Sequence, residues 1–302
     1  MSPERRVETE VDGRRLSLSN LDKVLYPKAG FTKRDVLDYY ARVSDVMLPH
    51  LRDRAATLRR FPDGVDGQSF YEKHAPSHTP SWVRTTTVPS TRAKEGSIKF
   101  VVVSDRPTLI WAANLAALEI HVPLWRAVPR KKSPTPPDQM VFDLDPGPGT
   151  SIVECCRVAR YIFQRLGEQR RSPPLPKTSG SKGLQVYVSL AGIKWPDARD
   201  QAHELARSIE HDHPELVISN MRKNLREGRV LIDWSQNDPG KTTVAAYSLR
   251  AQPEPTVSTP VTWDEVDACA KSGKPEKLRF ATTEVLNRVS KFGDLMADLA
   301  VP

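Results

Sequence analysis

Residues 140–150 read MVFDLDPGPGT, a segment built for burial that nevertheless carries two aspartates one residue apart. Strand side chains alternate between faces, so Phe142 and Leu144 can enter a core while Asp143 and Asp145 project together from the other side. Two anions held side by side repel. At a strand end closed by Pro-Gly-Pro-Gly, that repulsion is relieved by water or by a divalent cation, and oxygen-only ligands suit magnesium or manganese. An isolated D-x-D is more often a strand running out into a solvated turn, so the surrounding sequence has to decide.

Downstream, Thr150 or Ser151 can cap a helix whose apolar positions include Ile152, Cys156, Ala159, Ile162, Phe163 and Leu166. RRSPPLPKTSGSKG is a Pro/Gly-rich loop feeding an alternating strand, with Leu184, Val186, Val188 and Leu190 on one side and Gln185, Tyr187 and Ser189 on the other. ARDQAHELARSIEHDH reads as a helix and GRVLIDWS as a strand. After an extended, proline-rich stretch from Gln252 to Pro260 come two short helices, the first with Thr262 and Glu265 as a capping box.

Upstream, FTKRDVLDYYARVSDVMLPHL has Thr32 as cap, Asp35 at the positive helix end, and Val36, Tyr40, Val43 and Met47 at helical spacing. ATLRRFPDGVDGQSFYEKH has strand-like ends around a turn, SIKFVVVSD is a strand, and a short helix leads into LEIHV, where Glu119 and His121 share a face. A basic, proline-rich loop, RAVPRKKSPTPPDQ, delivers the chain to the aspartate strand. With no internal repeat and no polar linker, residues 1–302 are expected to form one α/β (α+β) unit, with two lobes as the expected variant.

The chain has 302 residues, 38% of them hydrophobic, enough to bury a sizeable core. Its formal net charge of +8 favours polyanionic partners such as nucleic acid or phosphorylated substrates. Three cysteines, Cys155 and Cys156 adjacent, make neither a disulfide framework nor a zinc motif. Both vicinal cysteines are expected in a helix, one of them buried. His211 and His213 form only a weak H-x-H, expected at a helix end. The N-terminus resembles no signal peptide and no apolar run approaches a membrane span, so a soluble cytoplasmic protein is expected.

A third acid, Asp233, ends the apolar strand in RVLID. With Asp143 and Asp145 it would complete a two-metal phosphoryl-transfer set, in which carboxylates from adjacent strand ends hold cations about 4 Å apart. TSGSKG offers backbone amides, two hydroxyls and Lys182 to phosphate oxygens, although it lacks the G-x-x-x-x-G-K-[ST] spacing of a Walker A loop.

DLDPG, then SGSKGLQVYV, then LIDWSQN followed by TTVAAYSLR resemble the sequential motifs of the archaeo-eukaryotic primase superfamily, in particular the polymerase module of the bacterial non-homologous end-joining ligase D. The likeness runs from about Leu18 to the C-terminal helices, and the order of several motifs makes it far more specific than any one of them. It implies a primase-like core of mixed and antiparallel sheets flanked by helices. No K-x-D-G motif of a nucleotidyl-lysine ligase is present, which predicts a stand-alone primase-polymerase.

The resemblance implies that Asp143, Asp145 and Asp233 bind Mn2+ or Mg2+, that Ser179 and Lys182 hold the triphosphate, and that His121 and Arg250 are further nucleotide contacts. Arg226 sits where the family often has a basic residue near the site. Arg59 and Arg60 match basic residues facing nucleotide or template. LDKVLYPKAGFTK resembles the segment that reads the 5′-phosphate of a gapped or recessed DNA end, with Lys23 and Lys33 as cations. Phe70 and Tyr71 match aromatic residues that stack on template bases; as neighbours on a strand only one should face nucleic acid, and Tyr71 is the better candidate.

Where the family motif usually ends in histidine this chain has Gln185, which can donate an amide hydrogen bond to a phosphate oxygen but cannot become a cation. The implied activity is template-directed addition of nucleotides, NTP or dNTP with ribonucleotides preferred, to a primer 3′-hydroxyl at gaps or broken ends in the bacterial cytosol and nucleoid. Ku and a separate DNA ligase are the implied protein partners. Two other classes compete: a catalytically silent 5′-phosphate end-binding module, and a metal-dependent phosphoester hydrolase.

Overall fold

The computed structural model describes residues 6–91, 93–127, 134–167 and 173–300. Parts of the basic loop before the aspartate strand (128–133) and of the RRSPP stretch (168–172) lie outside the described residues.

The chain begins with a hairpin, β1 (Arg6–Val11) and β2 (Arg14–Ser19), and a short pair, β3 (Val24–Tyr26) and β4 (Phe31–Thr32), leading into helix α1 (Lys33–Leu51). The α1 N-terminus is a capping box: Asp35 Oδ2 accepts from the Thr32 N–H at 2.7 Å, and the Thr32 hydroxyl accepts from the Asp35 N–H. Then come β5 (Thr57–Arg60), β6 (Phe70–Glu72), the hairpin β7 (Thr85–Pro89) and β8 (Ser97–Val101), helix α2 (Arg106–Asn114) and β9 (Ala117–Val122).

The second half runs β10 (Gln139–Pro146), α3 (Ile152–Leu166), β11 (Leu175–Thr178), β12 (Leu184–Ser189), α4 (Trp195–Asp212), β13 (Val217–Ile218), β14 (Val230–Asp233), β15 (Thr243–Val244), α5 (Trp263–Ser272), α6 (Thr282–Phe292) and α7 (Ala297–Ala300). Ser151 is the cap of α3, its N–H bound by Glu154 Oε2 at 2.8 Å, while the Thr150 hydroxyl donates to the Gly147 carbonyl. The expected box of Thr262 and Glu265 caps α5.

Two sheets organise the molecule. One has five strands in the order β11-β12-β10-β14-β13, antiparallel except for the last pair; the other has four, β15-β9-β5-β6. One core cluster fills the space between the five-stranded sheet and α3, α4 and α5, with Phe142, Leu144, Val186 and Val188 pointing into it. Full burial of Phe142 alone stabilises the fold by about 1.5–3 kcal/mol. Period-two alternation sends Val141 and Tyr187 to the opposite face, where they join the cluster built on α1, α2 and β9. The polar residues between them, Asp143 and Gln185, therefore lie on the face turned towards the first half of the chain. Cys155 and Cys156 are both buried, not one of the two, because α3 is covered by the sheet on one side and by α5 on another.

Candidate active site

The β10–β14 ladder brings the acids together. Asp143 pairs directly with Asp233, and Asp145 with Leu231, so all three aspartates stand on one face of neighbouring strands. The turn after Asp233 is pinned from several sides: Trp234 stacks on His203 at 3.8 Å, and Asn237 bonds both the N–H and the carbonyl of Val141. Asp233 Oδ1 accepts from the Ser235 N–H (2.9 Å) and hydroxyl (2.6 Å), and Oδ2 accepts from Gln236 Nε2 (3.0 Å). Among the described residues no three acids, histidines or cysteines already stand as a closed ligand cage, and Asp233 has both oxygens engaged on its own turn.

The electrostatics favour a cation. Withdrawal from water, then repulsion from Asp145 and Asp233, pushes the Asp143 carboxyl up to about 7, against the opposing effects of a Gln185 hydrogen bond and of Lys177. Asp145 is likewise raised by withdrawal from water and by Asp233, with Arg226 and Arg250 acting in the other sense. An all-carboxylate donor set under mutual repulsion fits a hard divalent ion such as Mg2+ or Mn2+.

Gln185 stands beside Asp143 on the neighbouring strand, where its side chain is held by the protein itself. It is 3% exposed, and its amide is spent inside the protein: Nε2 donates to Asp143 Oδ1 at 3.0 Å, and Oε1 accepts from Lys177 Nζ at 2.6 Å. The second hydrogen of Nε2 is the donor that remains for a phosphate oxygen. Lys177, which the sequence reading passed over, is 1% exposed, and burial lowers its ammonium to about 7 although Asp143 opposes the shift.

The TSGSKG loop curls around its own serine. Ser179 Oγ accepts from the N–H groups of Ser181 (3.2 Å) and Gly183 (3.0 Å), so two of the amides expected to face phosphate are already engaged. Gly183 is required because a Cβ there would collide with the Leu144 carbonyl of the aspartate strand. Lys182 is exposed and lines, with Ser181 and the turn at 146–152, a cavity of about 750 Å3. Arg250 Nη1 donates to the Ser179 carbonyl at 2.6 Å and so links this loop to the four-stranded sheet.

On β9, Glu119 is a second unforeseen centre. Fully buried, it lies 3.3 Å from Arg250 Nε, 3.4 Å from Arg59 Nη1 and 2.8 Å from His121 Nε2, and it accepts from the Ala251 N–H. Burial alone would raise this carboxyl, but the His121 hydrogen bond and the Arg250 charge lead the opposing effects and bring it down to about 2. Burial lowers the His121 imidazole, opposed by Glu119. The Nε atoms of Arg59, Arg226 and Arg250 are buried without an aligned acceptor among the described residues, leaving donor capacity around the acids unspent.

The remaining candidates fall in two places. Phe70 (44% exposed) and Tyr71 (56% exposed) both reach solvent. Tyr71 lies 5.7 Å from the His121 ring and 5.3 Å from the Arg59 guanidinium, whereas Phe70 lies under Arg60, which also bonds Glu72. Lys23 and Lys33, with Arg15 and Arg60, line a separate cavity of about 490 Å3. Lys23 pairs with Asp63 at 2.8 Å; Lys33 is buried, with Nζ donating to Ser19 Oγ at 3.2 Å. His213 caps the end of α4 and stacks on Tyr161 at 3.8 Å, away from any metal role.

The LigD primase-polymerase domain model matches residues 32–296. The multifunctional non-homologous end joining protein LigD of Mycolicibacterium smegmatis is 41% identical over 286 residues, covering 94% of this chain and 36% of that protein. The bifunctional LigD of Bacillus subtilis is 30% identical over 281 residues, 92% of this chain and 43% of its own length. This chain therefore spans well under half the length of these relatives. The solved polymerase domain from Mycobacterium tuberculosis ligase D, in complex with DNA, superposes with a TM-score of 0.87 at 41% identity over 95% of this chain and 98% of that one. The mixed α/β architecture with antiparallel sheets is thus the architecture of that polymerase domain. No helix among the described residues is long and apolar enough to cross a membrane.

Proposed function

Because this chain belongs to the LigD primase-polymerase domain family, we propose that it is a template-directed nucleotidyltransferase that extends a primer 3′-hydroxyl at gaps or broken DNA ends, ribonucleotides preferred. The observation that carries this reading is the cross-strand pairing of Asp143 with Asp233, with Asp145 on the same face.

We assign Asp143, Asp145 and Asp233 as the residues that hold Mg2+ or Mn2+. Bound there, two such ions would lower the pKa of the attacking hydroxyl and neutralise charge on the leaving pyrophosphate. Asp233 would share or release its bonds to Ser235 and Gln236 on taking up this role. Arg250 and Arg226, both acting on Asp145, and the exposed Lys182 supply positive charge for the triphosphate. Ser179 shapes the loop that presents Lys182. Arg59 and His121 are set by Glu119 beside Tyr71, where a base can stack. We assign the cavity of Lys23, Lys33 and Arg60 to the 5′-phosphate of the DNA end, and place Phe70 at its approach.

Residues 1–302 are read as one catalytic unit acting in the bacterial cytosol, with Ku and a separate DNA ligase as protein partners. The test is extension of a primer on 5′-phosphorylated gapped DNA, with ribo- and deoxyribonucleotides offered separately in Mg2+ and in Mn2+. Templated addition, faster with ribonucleotides, is the expected result. Phosphate-dependent binding without incorporation would replace this reading with an end-binding module, and template-independent phosphate release with a hydrolase.

A further inference from the structure

We propose that Lys177 is a positioning residue for Asp143, acting through the side-chain amide of Gln185. Three neighbouring strands bring them into line: Lys177 on β11 pairs with Gln185 on β12, which pairs with Asp143 on β10. The Lys177 ammonium donates to Gln185 Oε1 (2.6 Å), Ser258 Oγ (2.6 Å) and the Val244 carbonyl (3.2 Å), so its three hydrogens have three acceptors.

An ammonium has only donors, so it accepts nothing but the oxygen end of the amide. The NH2 end is then turned towards Asp143, where Nε2 donates to Oδ1 at 3.0 Å. Tyr187 reinforces the same orientation with a longer bond, its hydroxyl lying 3.4 Å from Oε1. Flipping the amide would set NH2 against NH3+ and oxygen against carboxylate, losing both bonds at once. Lys177 thereby decides that Asp143 meets a hydrogen-bond donor, which steadies its ionised form and its rotamer without Lys177 touching the reacting groups. An ammonium is costly to bury, and a residue needed only to tie β11 to residues 244 and 258 would not require one.

The inference rests on the reading of Asp143 as a metal-holding residue, and the experiment separates the two. Binding of Mn2+ alone, without DNA or nucleotide, is followed by the electron paramagnetic resonance of the free ion. The proteins compared are the parent, Asp143→Asn, Gln185→Leu, Lys177→Met and the double variant Lys177→Met/Gln185→Leu, with folding checked by thermal melts. Gln185→Leu and Lys177→Met should each weaken Mn2+ binding roughly tenfold. The double variant should bind no more weakly than Gln185→Leu, because with the amide gone only the direct charge of Lys177 on Asp143 remains, and removing a cation does not weaken Mn2+ binding.

A double variant weaker than Gln185→Leu by a further large factor would show that Lys177 acts on its own, and would overturn the proposal. So would an unchanged Lys177→Met. Should Lys177→Met fail to fold, the comparison of Gln185→Leu with the double variant still decides, since removing both partners leaves neither unsatisfied. Equal affinity of Asp143→Asn and the parent would instead strike down the metal reading, and this inference with it.

Discussion

Asp143 and Asp233, 90 positions apart in the chain, are direct cross-strand partners in the β10–β14 ladder. Like charges placed opposite each other in a sheet destabilise it, so this pairing has to be offset. In part it is, by Gln185 on one side and by Ser235 and Gln236 on the other. Burial first, and then the repulsion that remains, raises the Asp143 carboxyl.

Removing these acids should separate chemistry from binding. Asp143→Ala, Asp145→Ala and Asp233→Ala are each expected to lower nucleotide incorporation by at least about 3 kcal/mol in barrier, beyond a hundredfold. Affinity for 5′-phosphorylated gapped DNA should stay within about twofold. Primer extension alongside fluorescence anisotropy measures both, and full incorporation by the Asp143→Ala/Asp145→Ala double variant would remove the catalytic assignment.

The same burial and repulsion make stability depend on pH. A carboxyl whose folded-state pKa is raised to about 7 binds a proton in the native state that the unfolded chain releases near its ordinary value, so stability falls as pH rises between the two. In EDTA, Asp143→Asn should therefore raise the melting temperature relative to the parent by an amount that grows from pH 4 to pH 7 and then levels off. Mn2+ should stabilise the parent and not the variant, following the usual linkage of ligand to folding. Melts that shift equally at pH 5 and pH 8 would contradict the argument.

The alternation around Asp143 was legible because strand periodicity is local, and the caps at Thr32, Ser151 and Thr262 because a capping box spans four consecutive positions. Lys177 and Glu119 were not legible. A buried charge is spelled with the same letter as a solvated one, and what makes each affordable lies far along the chain: Ser258 is 81 positions from Lys177, and the Ala251 amide 132 from Glu119. For Gln185 the residue type was right for hydrogen bonding, but its partner was decided by strand register with Lys177 and Asp143. Phe70 and Tyr71 sit beside Arg60 and Arg59 respectively, as strand alternation separates neighbours, yet both side chains are exposed.

Glu119 should behave as the hub of its cluster with Arg250, Arg59 and His121. Glu119→Gln leaves the Arg250 and Arg59 charges without their buried counter-charge, and losing one partner of a buried ionic cluster costs about 3–5 kcal/mol. The native carboxyl is lowered to about 2, so its stabilising contribution is complete above the unfolded value near 4.5 and is lost as pH falls towards 2. Urea unfolding should thus show a large deficit for the variant at pH 7 and a smaller one at pH 3. A deficit independent of pH would mean that packing, not charge, is what Glu119 contributes.

Tyr71 and Phe70 should have separable effects. Tyr71 neighbours His121 and Arg59, so Tyr71→Ala should weaken templated nucleotide use by the about 1–3 kcal/mol of a lost base stack. Phe70 lies with Arg60, towards the lysine-lined cavity, so Phe70→Ala should weaken DNA binding with little change in nucleotide KM. Steady-state kinetics on gapped DNA distinguish them; identical KM and kcat changes in the two variants would deny the division of faces.

Lys33 offers the sharpest test of end recognition. It is a buried cation beside the cavity, held by Ser19, while Lys23 at the rim is engaged with Asp63. A terminal phosphate brings more negative charge than the hydroxyl of Ser19, so it can draw the ammonium. Lys33→Met keeps the stem length and removes the charge. The parent should bind a 5′-phosphorylated gap several-fold more tightly than a 5′-hydroxyl gap, and the variant should bind both alike, with the slope of log affinity against log salt reduced by about one on phosphorylated DNA. A variant that prefers the phosphorylated end as strongly as the parent would mean that the phosphate docks elsewhere.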